Sequence, residues 1–325
     1  MKNLLQLSKL TFLLFVGFSI QSCSDDDDDV TTPTGPSNIV EIAMDTPDLS
    51  NLVAALSVAD GNLVDVLSGG EFTVLAPTNE AFETFLAANG FMSLSEVPTD
   101  VLSNILLNHV ISGTINSTNL VDAGSGYSTT NASNMDGDNL SLYFDTSSGV
   151  TFNGISSVVA ADIVASNGIV HVVDEVIGLP TVVTFAVSNP ALSTLVAAMT
   201  TEGLSVDIVS ILSSSDEPSP FTVFAPTNDA FGSLLAELEL NALGDIPVSI
   251  LEATLGTHVA PEANVRSTDL VDGMSVNTIS STITVSLSDG AKLIDPNGRE
   301  SNIVAVDIQA YNGVVHVIDN VLLPQ

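Results

Sequence analysis

The chain repeats itself, and the length of the repeat constrains the fold more than any other feature of the sequence. Three runs recur in the same order: 72–82 as 221–231, 117–122 as 267–272, and 167–174 as 312–319. Their offsets are 149, 150 and 145 residues. A period this long indicates two tandem domains and not a solenoid of short units. We place the domains at residues 38–180 (repeat 1) and 181–325 (repeat 2).

Within each repeat, the apolar pattern predicts helices first and strands last, which is an α+β domain. Asp48 is expected to cap a helix that carries Leu49, Leu52 and Leu56 on one face. Pro98 and Pro247 are expected near the first turn of a helix. Residues 72–76 predict a strand and 79–88 a helix. Further strands are predicted at 140–144, 150–152, 158–164 and 169–173, and in repeat 2 a turn at 288–290 is expected to join strands 283–285 and 292–294.

The N-terminus predicts export and lipid anchoring. Lys2 and Lys9 form a basic segment before an apolar run at 10–20. This run is shorter than the roughly 20 residues needed to span a bilayer. Residues 20–23, Ile-Gln-Ser-Cys, resemble the bacterial lipobox. We therefore predict a lipoprotein signal peptide at 1–22 and lipidation of Cys23, which is the only cysteine of the chain. The alternative is an ordinary signal peptide followed by an incidental thiol.

Residues 23–37 predict a solvated tether. Five adjacent aspartates at 25–29 repel one another, and a segment rich in Pro and Thr follows them. An acidic run directly after a lipidated cysteine resembles the surface-export signal of some Gram-negative lipoproteins. The expected location is the outer membrane, with exposure at the cell surface and with the membrane contacted only through the lipid.

The charge balance excludes one class of partner. The chain has 39 acidic and 5 basic residues and a net charge of −34, and residues 38–180 contain no Lys or Arg. Such a surface repels nucleic acid. We expect monovalent salt to stabilise the isolated repeat 1 by screening this repulsion, with bridging by divalent cations as the alternative.

The two longest repeated runs resemble the paired motifs of the fasciclin-like domain family. They are FTVLAPTNEAF with FTVFAPTNDAF, and NGIVHVVD with NGVVHVID, about 90 residues further on in each repeat. The resemblance implies two tandem fasciclin-like domains, each a seven-stranded β-sandwich or wedge with packed helices. It also implies a role in adhesion.

The resemblance also implies candidate ligand contacts. In periostin-type matrix proteins of the family, a Tyr-His pair and an Asp-Ile pair are implicated in integrin binding. The first pair is replaced here by Asn108-His109 and Thr257-His258, while the second is kept as Asp162-Ile163 and Asp307-Ile308. The candidate contacts are therefore His109, His258, Asp162, Ile163, Asp307 and Ile308.

No pattern in the chain indicates an enzyme. His109 and His258 share the apolar face of a predicted helix, and His171 and His316 lie in apolar strand runs, so we interpret all four as structural residues bonded to backbone carbonyls rather than as bases or ligands. The runs 134–139 and 295–298 are interpreted as turns, although the first faintly resembles a calcium loop. We predict no catalytic residue, no metal site and no cofactor.

These features predict a surface lipoprotein that presents two domains for adhesion to a protein or polysaccharide of cells or matrix. The alternative is an accessory glycan-binding or glycan-processing lipoprotein of a nutrient-uptake system. Aromatic residues for sugar stacking are scarce, since the chain has three Tyr and no Trp.

Overall fold

The computed structural model describes residues 36–325, so the predictions for the signal peptide, Cys23 and most of the tether lie outside the described residues. Repeat 1 begins with helices α1 (Ile39–Asp45), α2 (Ser50–Val58) and α3 (Leu63–Gly69), then strand β1 (Phe72–Pro77) and helices α4 (Asn79–Ala88) and α5 (Thr99–Leu107). It continues with β2 (Val110–Ser112), α6 (Ser117–Ala123), β3 (Ser125–Ser133), β4 (Asn139–Asp145), β5 (Thr151–Phe152), β6 (Ser156–Ala165) and β7 (Gly168–Val173).

Repeat 2 has the same order of elements with shorter middle strands. Its helices are α7 (Val182–Ser188), α8 (Ser193–Met199), α9 (Ile208–Ser213), α10 (Asn228–Glu237) and α11 (Val248–Thr257). Its strands are β8 (Phe221–Pro226), β9 (Val259–Ala260), β10 (Ser275–Asn277), β11 (Thr282–Ser286), β12 (Lys292–Ile294), β13 (Glu300–Ala310) and β14 (Gly313–Ile318). A short 3-10 helix, Ser267–Asp269, stands where repeat 1 has α6.

The predicted elements are confirmed with one exception. The strands and the hairpin turn form where expected, and helix α4 spans residues 79–88 with Thr78 as its cap, whose Oγ1 accepts a hydrogen bond from the Ala81 amide. The expectation for Asp48 is wrong. It lies inside a 3-10 turn, Pro47–Leu49, and the first turn of α2 is capped instead by Asn79, whose Oδ1 accepts from the Asn51 amide at 2.8 Å. Pro47 fixes that turn, so the helix begins one residue later than a cap at Asp48 would place it.

The strands of the two repeats differ in how they close. In repeat 1 the seven strands form a closed barrel in which β1 runs parallel to β7 and antiparallel to β2. The barrel closes because β3 is long enough to pair with β2, at Thr130 and Ile111. In repeat 2 the order is β10-β11-β12-β13-β14-β8-β9, and no ladder joins the two outer strands β9 and β10. Each repeat is thus a seven-stranded barrel or wedge packed by helices.

Alternation along the first strand of each repeat divides the core into two layers. Val74 and Ala76 face the helices, whereas Leu75 faces the interior of the barrel with Leu142 and Phe152. In the described part of the chain, no single helix is long and apolar enough to cross a bilayer. Two bent pairs, which comprise α2 with α3 and α7 with α8, meet that test only by length and composition.

The parallel pairing of β1 with β7 needs a glycine at one position. Gly168 has φ +147°, and a Cβ there would lie 1.9 Å from the carbonyl oxygen of Phe72. Gly313 has φ +149° and the same relation to Phe221, at 2.0 Å. This approach of two backbones explains the Asn-Gly step in both copies of the second motif.

Candidate functional site

His109 and His258 are buried structural residues, as predicted. His109 Nδ1 donates to the carbonyl of Ile105 at 2.8 Å, and its Nε2 accepts from the amide of Ile177 at 2.9 Å. Because both ring nitrogens are bonded, the neutral imidazole links the end of α5 to the segment that follows β7. Burial lowers the pKa of His109 from 6.5 to about 4, although the bond to Ile105 opposes this shift.

His258 repeats this arrangement in repeat 2. Its Nδ1 bonds to the carbonyl of Thr254 at 2.7 Å, and its Nε2 accepts from the amide of Leu322 at 2.9 Å. Burial lowers its pKa to about 4 as well, against the field of Asp295 and the bond to Thr254.

The other two histidines hold the Asp-Ile pairs in place. His171 Nε2 donates to the carbonyl of Ile115 at 2.9 Å, and its Nδ1 accepts from the amide of Asp162 at 3.2 Å. His316 makes the corresponding bonds to Val265, at 2.8 Å, and to Asp307, at 3.4 Å. Burial lowers the pKa of His316.

The aspartates of the two pairs adopt a left-handed backbone conformation that is uncommon for residues other than glycine. Asp162 has φ 59° and Asp307 has φ 57°, and both lie where the strand register shifts between β6 and β7 or between β13 and β14. These are β-bulges, which often redirect a side chain. The bulge turns each carboxylate toward the loop that precedes the repeated motif at 117–122 or 267–272.

Each redirected carboxylate holds the start of that motif. Asp162 accepts hydrogen bonds from the amide of Ser117, at 2.8 Å, and from its hydroxyl. Asp307 does the same with Ser267, whose amide lies at 2.7 Å. The Ser117 hydroxyl, and then its amide, lower the pKa of the Asp162 carboxyl. The aspartates therefore have a structural function in both repeats.

The two Asp-Ile pairs differ in exposure. In repeat 1, Ile163 is half-buried and the next residue, Val164, is 74% exposed. In repeat 2, Ile308 is 3% exposed and the next residue, Gln309, is 6% exposed. Ligand contact stays a prediction for Asp162, Ile163 and Asp307. At His109, His258 and Ile308, burial means that contact would require the domain to open.

Ile308 is buried because repeat 1 packs against it. We call residues 125–145, which contain β3, its turn and β4, the long hairpin. Tyr143 on this hairpin joins the helix-side core of repeat 2, together with Ile308 and Phe185. Tyr127 packs on Tyr143 at a ring separation of 5.1 Å. Its hydroxyl accepts from Asn189 at 3.1 Å, and burial raises the pKa of Tyr127 to about 12.

Polar groups align the hairpin on β13. The amide of Gln309 donates to the hydroxyl of Ser141 at 2.9 Å, and Asn134 donates to the Gln309 side chain at 3.2 Å. The tip of the hairpin is tied by charge, because Arg266 of repeat 2 pairs with Asp138 at 2.5 Å. Buried polar pairs of this kind define one register for the contact.

The turn at 134–139 is confirmed, and its oxygen atoms bond to protein groups instead of being arranged as in a calcium loop. Asn134 Oδ1 accepts from the amides of Asp136 and Asp138, and the Asp138 carboxylate is used by Arg266. The turn at 295–298 also forms. Within residues 36–325, no group of three His, Cys, Asp or Glu side chains is placed to hold a metal ion.

Sequence reasoning missed the long hairpin, although the repeat offsets record it. The offset is 150 at Ser117 and Ser267 and falls to 141 at Ser147 and Ser288, which form equivalent isolated bridges. Repeat 1 therefore has nine more residues between these positions. Between the recurrent motifs, the offset changes only from 150 to 145. This smaller change conceals the insertion, because repeat 2 is longer than repeat 1 after β12 and so recovers part of the difference.

The chain matches the Fasciclin domain family over residues 47–180 and again over residues 190–324. The chain belongs to this family. Fasciclin domains are associated with cell adhesion, which supports a non-enzymatic role of the adhesion type. A solved pair of such domains, from the insect cell adhesion molecule fasciclin I, matches with a TM-score of 0.51 at 21% identity, over 85% of this chain and 97% of that one. That likeness concerns the fold.

Three curated relatives are similar to parts of this chain. Protein sll1483 of Synechocystis is 38% identical over 44% of this chain and 73% of its own length. Transforming growth factor-beta-induced protein ig-h3 of Sus scrofa is 29% identical over 78% of this chain, which spans 35% of that protein. Cell surface glycolipoprotein MPB83 of Mycobacterium bovis is 45% identical over 25% of this chain and 41% of that protein.

Proposed function

We propose that this fasciclin pair is an exported adhesion lipoprotein, anchored through Cys23 to the outer membrane and exposed at the cell surface. The basic and apolar start, the lipobox-like residues 20–23 and the acidic tether support the anchor. The name of the relative MPB83, a cell surface glycolipoprotein, supports the same location. The partner is a surface or matrix protein, or a polysaccharide.

The contact face is the bulge of β6 in repeat 1, at Asp162, Ile163 and Val164. The observation that carries this assignment is the difference in exposure between equivalent positions, 74% for Val164 and 6% for Gln309. The corresponding face of repeat 2 is already covered by the long hairpin. The exposed Val164 and the half-buried Ile163 thus leave this face open to a partner in repeat 1 alone.

The domain interface serves this role by fixing the orientation of the contact face. Tyr143 and Ile308 are shared in one buried cluster, so the two repeats pack as one body and not as beads on a linker.

The alternative role in glycan uptake is less well supported. Sugar recognition commonly uses exposed aromatic rings, but Tyr127 and Tyr143 are used in the domain interface. That leaves Tyr311 as the one tyrosine outside the interface cluster, since the chain has only three.

The test uses cells that lack the protein, complemented with the full chain or with variants. Val164→Asp is expected to reduce cell attachment and aggregation to the level of the deletion. Val304→Asp is the matched control, because Val304 is 57% exposed on β13 at a position outside the proposed face. Equal attachment by both variants would contradict the assignment of the face.

A second variant tests the anchor. Cys23→Ser is expected to release the protein from the membrane fraction and to remove it from the set of proteins that protease cleaves on intact cells. A protein that remains membrane-bound without Cys23 would refute lipid anchoring.

A further inference from the structure

Repeat 2 contains an apolar groove with a volume of about 590 Å³. Helices α9 and α11 form its walls, and the turn between β10 and β11 forms one end. Its exposed apolar side chains are Val206, Ile211 and Ile279. The volume is within the range of about 300–1,000 Å³ that is usual for ligand sites.

At the equivalent place in repeat 1, the chain itself narrows the cavity to about 310 Å³. The face of α5 that carries Asp100, Ser103, Asn104 and Leu107 lies beside residues 133–135 of the long hairpin. Asn104 holds Ser133 there by two hydrogen bonds, of 2.8 and 3.0 Å.

The equivalent face of α11 has no such segment. Its residues, 149 positions further on, are Ser249, Glu252, Ala253 and Gly256, and all four line the groove. Repeat 2 lacks the nine residues that lengthen the hairpin. Only the turn reaches this side, where the amides of Ile279 and Ser280 donate to the carbonyls of Val259 and Gly256. Val259, on the outer strand β9, also lines the groove.

The charge around the groove is negative. The carboxylate of Glu252 lies on its wall, where it accepts from the amide and the hydroxyl of Ser205. No Lys or Arg lines the groove. The three cations of repeat 2 form ion pairs with other carboxylates: Arg266 with Asp138, Lys292 with Glu300 and Arg299 with Glu237.

We infer that this groove binds an extended peptide segment of a partner protein, with apolar side chains on the floor and a Lys or Arg beside Glu252. Repeat 1 seats an extended segment of its own against the equivalent helix, and extended segments commonly bind beside unpaired strand edges. The apolar lining calls for apolar side chains, and the carboxylate without a cationic neighbour calls for a basic one. The site is distinct from the β6 face of repeat 1.

Three labelled peptides added to the full chain test this inference by fluorescence anisotropy. The probe is acetyl-Lys-Val-Leu-Val-Lys-amide. Two controls replace its lysines by glutamates or its apolar residues by Ser and Gly. We expect the probe to bind at least tenfold more tightly than either control, and we expect its affinity to fall as salt is added.

A matched pair of variants locates the site. Ile211→Asp is expected to weaken binding of the probe at least tenfold, and Val66→Asp is expected to leave it unchanged. These residues are 39% and 42% exposed at equivalent positions of α9 and α3, so both variants should fold. Glu252→Gln is expected to reduce the preference for the lysine peptide over the glutamate peptide.

Several outcomes would overturn the inference. They are equal binding of all three peptides, no binding of the probe, or equal losses in Ile211→Asp and Val66→Asp. Displacement of the probe by dodecyltrimethylammonium at concentrations far below the dissociation constant of the peptide would indicate a lipid-like ligand instead. Val164→Asp should leave peptide binding intact, so failure here and failure of the adhesion proposal can be told apart.

Discussion

Lowering the pH should destabilise repeat 1 through a single buried group, His109. Its ring is buried, and its pKa is lowered from 6.5 to about 4 by loss of hydration. Between these values the unfolded chain binds a proton that the folded domain does not. Stability is therefore complete above pH 6.5 and is lost as the pH falls toward 4.

The size of the effect follows from the shift. Each unit of pKa difference corresponds to about 1.4 kcal/mol. At a pH below both pKa values, the free energy of unfolding would therefore be lower by about 3 kcal/mol. At pH 5.0 the loss relative to pH 7.5 is about 2 kcal/mol, because the folded pKa has not yet been reached. For a domain of ordinary stability, this loss is a large fraction of the total free energy of unfolding.

The assay is urea unfolding of the full chain, wild type and His109→Gln, at pH 7.5 and 5.0 in high salt. Repeat 1 contains 17 carboxyl groups that also titrate, and they are the same in both proteins. We expect His109→Gln to be less stable at pH 7.5 because it loses the paired ring bonds. We expect the difference between the proteins to shrink by about 2 kcal/mol at pH 5.0.

His109 is a cleaner subject for this test than His258, because Asp295 acts on the pKa of His258 as well. A stability difference that stays constant from pH 7.5 to 5.0 would refute the reasoning. So would an NMR titration in which the folded His109 ring protonates near its ordinary value.

Three further predictions concern the backbone, the interface and the charge. Gly168→Ala should destabilise repeat 1 by more than about 3 kcal/mol, because the added Cβ would meet the Phe72 carbonyl. Gly69 has open space around it, so Gly69→Ala should change stability by less than about 1 kcal/mol. Thermal unfolding checks both variants, and equal effects would contradict the close approach of the two backbones. Tyr143→Ala should cost about 3 kcal/mol and separate the melting of the two repeats in calorimetry. Arg266→Ala, at a partly exposed ion pair, should cost much less, and the reverse order would be inconsistent with an apolar interface. The melting temperature of the full chain should rise with sodium chloride because the net charge is −34, and a flat or falling curve would exclude repulsion as a significant cost.

The sequence by itself determined the number of domains, the order of their elements and the structural role of the histidines. Each of these depends on residues close in the chain or on motifs that occur twice. The helix over 79–88, for example, needs only its apolar spacing and a capping Thr78. His109 could be placed in the core because it follows Leu102 and Leu106 on one helical face. The error at Asp48 was also local, because Pro47 set the turn.

Only the tertiary structure decided which of the two similar surfaces is open. Asp162-Ile163 and Asp307-Ile308 are the same pair in the same bulge, yet Tyr143, more than 160 positions away in the chain, buries the second. The closed barrel of repeat 1 and the open seam of repeat 2 follow from the same nine-residue difference. Exposure is a sum over contacts from distant segments, so identical motifs need not have identical surroundings. That is the physical reason why a motif can locate a residue in a fold and still leave open whether a partner can reach it.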